Sequence, residues 1–314
     1  MKKLSIFTCF LVIVVLLTYS ITPSKKLFEL GVSAERTLAG LSSNKVEIDE
    51  GNIAYIEGGK GEVLILLHGF GANKDNWVRL AKHLTKDYYI IAPDLPGFGN
   101  SFKNINLNYD VDYQVARLNA FISKLGITKF HIAGNSMGGY IAGNYAATYP
   151  EKVMSLWLLD TLGVESAPNS EMFNNMLKEQ RPMVLASNKN EYEQLVSFVF
   201  ESVPFMPDFV ISELAKTAEK NHSLHSQIFY NIHNISKGKV SFSSPLDVKL
   251  REFTKPVLIT WGSADRVLHP EGAPILSSVI PKAKFYIIDG IGHLPMIEDP
   301  KTTAEHFITF NSRE

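Results

Sequence analysis

The sequence predicts an α/β fold, a mostly parallel sheet with helices on both faces and an inserted helical cap. Three observations lead there. From residue 46 to the end of the 314-residue chain, short apolar runs alternate with segments of helical periodicity. Several of the runs, Val63–Leu67 and Val257–Trp261 among them, are continuously apolar, as strands buried on both faces are. Between residues 164 and 248 the alternation stops and the pattern turns helical throughout, which reads as a cap inserted between two strands of one sheet.

Taken in order, residues 1–24 read as an N-terminal membrane anchor or signal segment. Lys2 and Lys3 precede Leu4–Ile21, 18 residues without a charge. A spanning helix needs roughly 18 or more apolar residues, whereas a cleaved leader carries a shorter run and a small-residue site. Thr18-Tyr19-Ser20 is a poor cleavage site, so an anchor is favoured, with the lysines on the cytoplasmic side and the catalytic domain outside the cytoplasm. Cleavage would mean secretion instead. Residues 25–45 form a linker with Leu27, Leu30, Ala34, Leu38 and Leu41 at helical spacing, an amphipathic helix suited to a lipid surface or to the face of the next domain.

The core is expected in residues 46–163 and 249–314. Val46–Glu50 and Ile53–Glu57 form a hairpin turning at Glu50-Gly51-Asn52, followed by the strand Val63–Leu67, the helix Trp77–Leu84 and the strand Tyr88–Ala92. Val111–Leu125 is a helix closed by Gly126, in the position glycine favours. The strand Phe130–Ala133, the helix Gly138–Tyr149 and the strand Val153–Leu159 complete the first part. After the cap come the strand Val257–Trp261, the helix Gly272–Ile280, the strand Lys284–Ile288 and the helix Thr302–Phe310. The cap, residues 164–248, carries Met172, Phe173, Met176, Met183, Phe198, Phe200, Phe205, Met206 and Phe209. Most of these are expected to form its own core, and a minority to line an acyl-binding pocket.

Composition sets outer limits. With 45% hydrophobic and 20% charged residues, the chain can bury a sizeable core. Lys plus Arg total 31 against 32 Asp plus Glu, which lacks the basic footprint of a nucleic-acid binder. The single cysteine, Cys9, excludes an intramolecular disulfide and a cysteine zinc site.

Chemistry concentrates in four places. Gly134-Asn135-Ser136-Met137-Gly138 fits G-x-S-x-G, and it stands between a strand and a helix, the setting of a nucleophile elbow. His68-Gly69-Phe70-Gly71 follows the strand Val63–Leu67; the amides of Phe70 and Met137 are the expected donors to an oxyanion, with His68 holding the loop. A serine nucleophile needs a base, and the base needs a carboxylate to orient it. Of nine histidines, His293 in Asp289-Gly290-Ile291-Gly292-His293 is the expected base, with His269 as rival; His83, His131, His306, His222, His225 and His233 read as surface or packing residues. Asp265, after Trp261-Gly262-Ser263-Ala264, is the expected carboxylate. Asp160, which also ends a strand, is its main competitor, ahead of Asp289 and Asp247.

The order Ser136, Asp265, His293 is that of the α/β-hydrolase fold, and residues 46–314 resemble a serine hydrolase of that fold throughout. The likeness is to membrane-anchored monoacylglycerol lipases and related small bacterial lipases. It rests on His68-Gly69-Phe70-Gly71-Ala72-Asn73-Lys74-Asp75-Asn76-Trp77, Gly134-Asn135-Ser136-Met137-Gly138-Gly139, Trp261-Gly262-Ser263-Ala264-Asp265, Gly292-His293 and the N-terminal apolar segment. The resemblance implies hydrolysis of glycerol esters by a serine triad without metal or organic cofactor, acting on a lipid or ester substrate. Dehalogenases and epoxide hydrolases of the fold use an aspartate where Ser136 stands. Carbon–carbon bond hydrolases of aromatic ring-cleavage products share Gly-Asn-Ser-Met-Gly-Gly and are the alternative. They typically carry Gly-Pro-Gly-Ala after the first His-Gly, where this chain reads Phe70-Gly71-Ala72-Asn73-Lys74. A hydrolase-fold receptor or scaffold is the non-enzymatic reading, disfavoured by a complete set of triad residues.

Overall fold

The computed structural model describes residues 24–179, 181–236 and 238–312. The apolar run predicted as anchor or signal lies outside the described residues. Among the described residues no helix is long and apolar enough to cross a membrane.

The first element, α1 (Ser24–Leu38), is the expected linker helix. It ends in a glycine-closed turn: Leu41 N–H donates to Arg36 O and Gly40 N–H to Thr37 O, with Gly40 at φ 73°. That turn delivers Ala39 and Leu41 into the core. β1 (Ser42–Ile48) starts four residues before the expected strand, inside the predicted linker. Its leading residues are polar and exposed, so no apolar pattern announced them. β2 (Gly51–Gly59) pairs antiparallel with it, Ile48 opposite Gly51. The hairpin therefore turns at Asp49-Glu50, not at the predicted Glu50-Gly51-Asn52.

β3 (Glu62–Leu67), α2 (Val78–Leu84), β4 (Tyr88–Pro93), α3 (Val111–Lys124), β5 (Phe130–Ser136), α4 (Met137–Thr148) and β6 (Val153–Thr161) follow the predicted alternation. The cap contributes α5 (Glu171–Glu179), α6 (Lys189–Val199), α7 (Asp208–Ile232), a small hairpin of β7 (Asn234–Ser236) and β8 (Lys239–Ser241), and α8 (Leu246–Lys249). The hairpin was not expected; three-residue strands are too short to leave a period in the sequence. β9 (Val257–Gly262), α9 (Gly272–Val279), β10 (Ala283–Ile288), α10 (Pro295–Glu298) and α11 (Pro300–Asn311) complete the chain.

Eight strands form one sheet in the order β1-β2-β4-β3-β5-β6-β9-β10. From β4 to β10 neighbouring strands are parallel, while β2 runs antiparallel to β1 and β4. The period of two along β3 explains its unbroken apolar run. Ile65 and Leu67 join the cluster that holds α3, α4 and α9, and Leu64 and Leu66 join the cluster that holds α2 and α11. All four are fully buried.

β3 and β5 are neighbours whose following segments leave in opposite directions along the sheet, the arrangement that opens a crevice at the carboxyl ends of the strands. The loop after β3 is held there by a buried ion pair. Lys74 Nζ donates to Asp94 Oδ2 at 2.7 Å and Lys74 N to Oδ1 at 2.8 Å, while Asn100 N also reaches Oδ2 at 2.7 Å. Arg36 makes a two-bond fork to Asp75, 2.6 Å for each contact, and so ties α1 to the same loop. At its other end Ser24 Oγ donates to Glu213 Oε1 of α7.

Removing one partner of a buried pair leaves an uncompensated charge. Lys74→Ala is expected to lower stability by about 3–5 kcal/mol in urea unfolding; a loss under about 1 kcal/mol, the size of an exposed pair, would contradict this account of the loop.

Candidate active site

Ser136 sits at the junction of β5 and α4 with φ 54° and ψ −121°, a conformation that L side chains rarely adopt. Such backbone strain is worth on the order of 1–3 kcal/mol and persists only where the surroundings enforce it. Here they do. A Cβ on Gly138 would stand 2.1 Å from Leu67 O, and one on Gly134 2.1 Å from Gly138 O. The two motif glycines thus let α4 approach the ends of β3 and β5, and the serine between them takes the turn. Met137, at the first position of α4, carries one of the N–H groups a helix start leaves without an intrahelical acceptor.

His293 lies in the loop between β10 and α10 and is buried. Its Nδ1 is 2.8 Å from Asp265 Oδ2, which also accepts Trp261 Nε1 at 3.1 Å. Asp265 Oδ1 accepts the amides of Val267 at 2.8 Å and Leu268 at 3.0 Å. With Nδ1–H given to Asp265, the imidazole keeps Nε2 as its lone-pair nitrogen. Ser136 and His293 line the same cavity.

The rival candidates fall elsewhere. His269 lines a separate small cavity, where its Nδ1 accepts Glu271 N–H at 3.2 Å. Asp289 holds Ser263 Oγ, and Asp247 accepts the amides of Glu165 and Ser166. Asp160 is close to the pair: a carboxylate oxygen of Asp160, one of Asp265 and a ring nitrogen of His293 lie within 4.8 Å of one another. His68 spends both nitrogens on backbone, Nδ1 on Gly69 O of its own loop at 2.8 Å and Nε2 as acceptor of Leu95 N–H, from the segment after β4, at 2.9 Å. Burial pushes its pKa down, so the ring is a neutral strut.

Four positions escaped the sequence reading. Asn135, fully buried, donates to Leu159 O at 3.2 Å and His293 O at 3.1 Å, so the elbow itself carries the histidine loop. Glu298 joins that loop to the cap: Oε1 accepts Gly292 N–H at 3.0 Å, and Oε2 accepts the amides of Glu201 and Ser202 at 3.1 and 2.9 Å. The His293 amide adds a bond to Val199 O at 2.9 Å. Burial raises the Glu298 pKa against the pull of these amides. His222 and His225, expected at the surface or in packing, line the cavity. Nothing in a one-dimensional pattern marks a helix glutamate as a clamp.

The cavity measures about 220 Å³ and lies between cap and sheet. Gly69–Asn73, Ser136, His293 and Ile297 come from the core, and Leu185, Leu195, Val196, Phe200, Met206 and Leu214 from the cap. Of the Met and Phe residues noted in the cap sequence, Phe200 and Met206 reach it; Met172, Phe173, Met176 and Phe198 pack in the core.

A mostly parallel sheet with its cavity at the carboxyl ends of β3 and β5 is the framework of an α/β enzyme. The chain belongs to the α/β-hydrolase fold family, whose model matches residues 62–300. Lipase 1 of Psychrobacter immobilis is 33% identical over 285 residues, 90% of this chain and 87% of that one. Monoacylglycerol lipase ABHD6 of Homo sapiens is 29% identical over 258 residues, 79% of this chain and 74% of that one. Among solved structures, a membrane phospholipase A described as a bacterial virulence factor superposes with a TM-score of 0.87 at 36% identity, covering 100% of this chain and 99% of that one.

Glu298→Ala should free the histidine loop from the cap. Amide hydrogen exchange at Gly292, Glu201 and Ser202 is expected to accelerate, with a stability loss of about 1–3 kcal/mol for the orphaned donors. Unchanged exchange at all three amides would remove the clamp from the account.

Proposed function

We propose that the protein is a serine carboxylic ester hydrolase acting on acylglycerols. Ser136 Oγ attacks the ester carbonyl as His293 Nε2 takes its proton, and Asp265 stabilises the imidazolium that forms. The amides of Met137 and Phe70 receive the oxyanion. The imidazolium returns the proton to the departing alcohol, and water, deprotonated by the same nitrogen, releases the acid from the acyl-enzyme. Lipase and monoacylglycerol lipase relatives over most of the chain support ester hydrolysis.

The observation that carries the reading is an apolar cavity holding Ser136 and His293 with no Lys or Arg among its described lining residues. An acyl chain gains about 0.8 kcal/mol for each methylene it buries there. A ring-cleavage product would bring a carboxylate that needs a cation. The cap's Arg181 is paired with Glu191 and lies outside this cavity. His225 offers no charge either, because burial, with Lys103 nearby, lowers its pKa to about 4.

The membrane reading is part of the same proposal. An anchor in residues 1–24 is supported by the uncharged run Leu4–Ile21 behind Lys2 and Lys3, and by the membrane phospholipase A relative. It puts the catalytic domain outside the cytoplasm, next to lipid esters that partition into the bilayer.

Ser136→Ala is expected to abolish ester hydrolysis in a folded protein. The wild type should prefer medium-chain p-nitrophenyl esters and monoacylglycerols over acetate. Rapid turnover of a dienoate ring-cleavage product with negligible ester hydrolysis would replace this reading by the carbon–carbon hydrolase. For the anchor, the mass of the natural N-terminus should include residues 1–24; a chain starting near Ile21 would mean cleavage and secretion.

A further inference from the structure

Asp160 is a second carboxyl beside the triad for which the mechanism above has no use. It is the penultimate residue of β6, next to β9, and is completely buried. Its φ of 42° makes it, with Ser136, one of two non-glycine residues at positive φ among the described residues. Oδ1 accepts Gly262 N–H at 2.9 Å, three residues before Asp265. Oδ2 is buried with no hydrogen-bond donor among the described residues. The carboxyl lies within the 4.8 Å cluster formed with Asp265 and His293.

Asp265 meets four N–H groups, Trp261 Nε1, the amides of Val267 and Leu268, and His293 Nδ1, whereas Asp160 meets one, so a proton held between the two carboxyls sits on Asp160. The groups that act on Asp160 are Asp265 and the Gly262 amide on the β9 side, His293 from the loop after β10, and Glu298 from α10. None of them is a permanent cation. Two carboxylates in a buried site without a cation cannot both be ionised, and the unpartnered Oδ2 is where a proton fits.

We propose that Asp160 is a positioning residue that remains a neutral acid and donates a hydrogen bond from Oδ2–H to Asp265, setting how strongly Asp265 holds the His293 imidazole. Burial first, and then the charge of Asp265, push the Asp160 carboxyl well above the usual carboxylate range. No atoms are exchanged in the reaction on its account. Its proton draws charge from Asp265, which limits stabilisation of the imidazolium and lets His293 act as a base at lower pH than an unassisted pair would allow. The proposal rests on the triad reading above.

The raised carboxyl also has a thermodynamic consequence. The native state keeps a proton that the unfolded chain releases near pH 4, so the group's contribution to stability is full below that pH and declines as pH rises toward the folded value. Asn at position 160 has no such dependence.

The test uses the full chain with Asp160→Asn, Asp160→Gly and Asp265→Asn, measuring kcat/KM against pH on a water-soluble ester and urea stability against pH. Asn retains an acceptor for Gly262 and a donor for Asp265, and it tolerates positive φ. Asp160→Asn is expected to stay within about threefold of wild type with its acid limb in place, a change no larger than one neutral hydrogen bond. Its stability should gain on wild type as pH rises from about 4. Gly keeps the backbone but removes the donor. Asp160→Gly is expected to keep the plateau rate but move its acid limb to higher pH, so that kcat/KM on the acid side falls about tenfold for each pH unit of displacement. Asp265→Asn should lose about 10⁴-fold. The proposal is overturned if Asp160→Asn is as damaging as Asp265→Asn, because Asp160 would then be the ionised carboxylate. It is also overturned if Asp160→Gly keeps the wild-type acid limb, or if the Asn variant and wild type show parallel stability curves. An active Ser136→Ala variant would instead remove the triad reading itself.

Discussion

The close approach of α4 to the ends of β3 and β5 is the contact on which the site depends. A side chain at Gly138 would run into the carbonyl of Leu67, and one at Gly134 into the carbonyl of Gly138, so both positions must lack a Cβ. With both glycines in place the chain turns from strand to helix in a single residue, and Ser136 absorbs the strain at φ 54°. The same contact brings the loop after β3 against the elbow, where a Cβ on Gly69 would stand 3.2 Å from Ser136 Cβ.

Everything around the elbow restricts the loops that complete the site. His68 and the buried Lys74–Asp94 pair fix the loop after β3. Asn135 reaches from the elbow to the backbone of His293, and Glu298 ties the same loop to the segment between α6 and α7. The histidine loop thus answers to both sheet and cap. A cavity with aliphatic walls can then sit over a polar catalytic floor without leaving that floor mobile, which is what preorganisation requires.

Much of this was legible in the sequence because it is local. A continuous apolar run implies a strand covered on both faces, and β3 is one. Gly-x-Ser-x-Gly between a strand and a helix implies an elbow, and the chain turns there. Placing Asp265 and His293 together required the order of the motifs, since they lie 28 positions apart. The start of β1 was missed because its residues are polar and solvated, and the β7–β8 hairpin because it is too short to have a period. A minority of the cap Met and Phe residues was expected at the cavity, and Phe200 and Met206 are there; which ones, and the Val, Leu and Ala residues that supply most of the remaining cap wall, were not legible, because periodicity does not say which face of a cap helix meets the cavity. Asn135 and Glu298 act through backbone amides and carbonyls of distant loops, and no residue spacing encodes that.

The central claim is that one strained serine, presented to an apolar cavity and served by His293, carries out the chemistry through an acyl-enzyme. Treating the full-length protein with an alkyl fluorophosphonate and locating the adduct by peptide mass spectrometry tests it most directly. The account predicts a single covalent addition on Ser136, forming at a much reduced rate in His293→Ala and with loss of esterase activity in step with labelling. An unlabelled Ser136 in an active enzyme, or full activity after its complete modification, would contradict it.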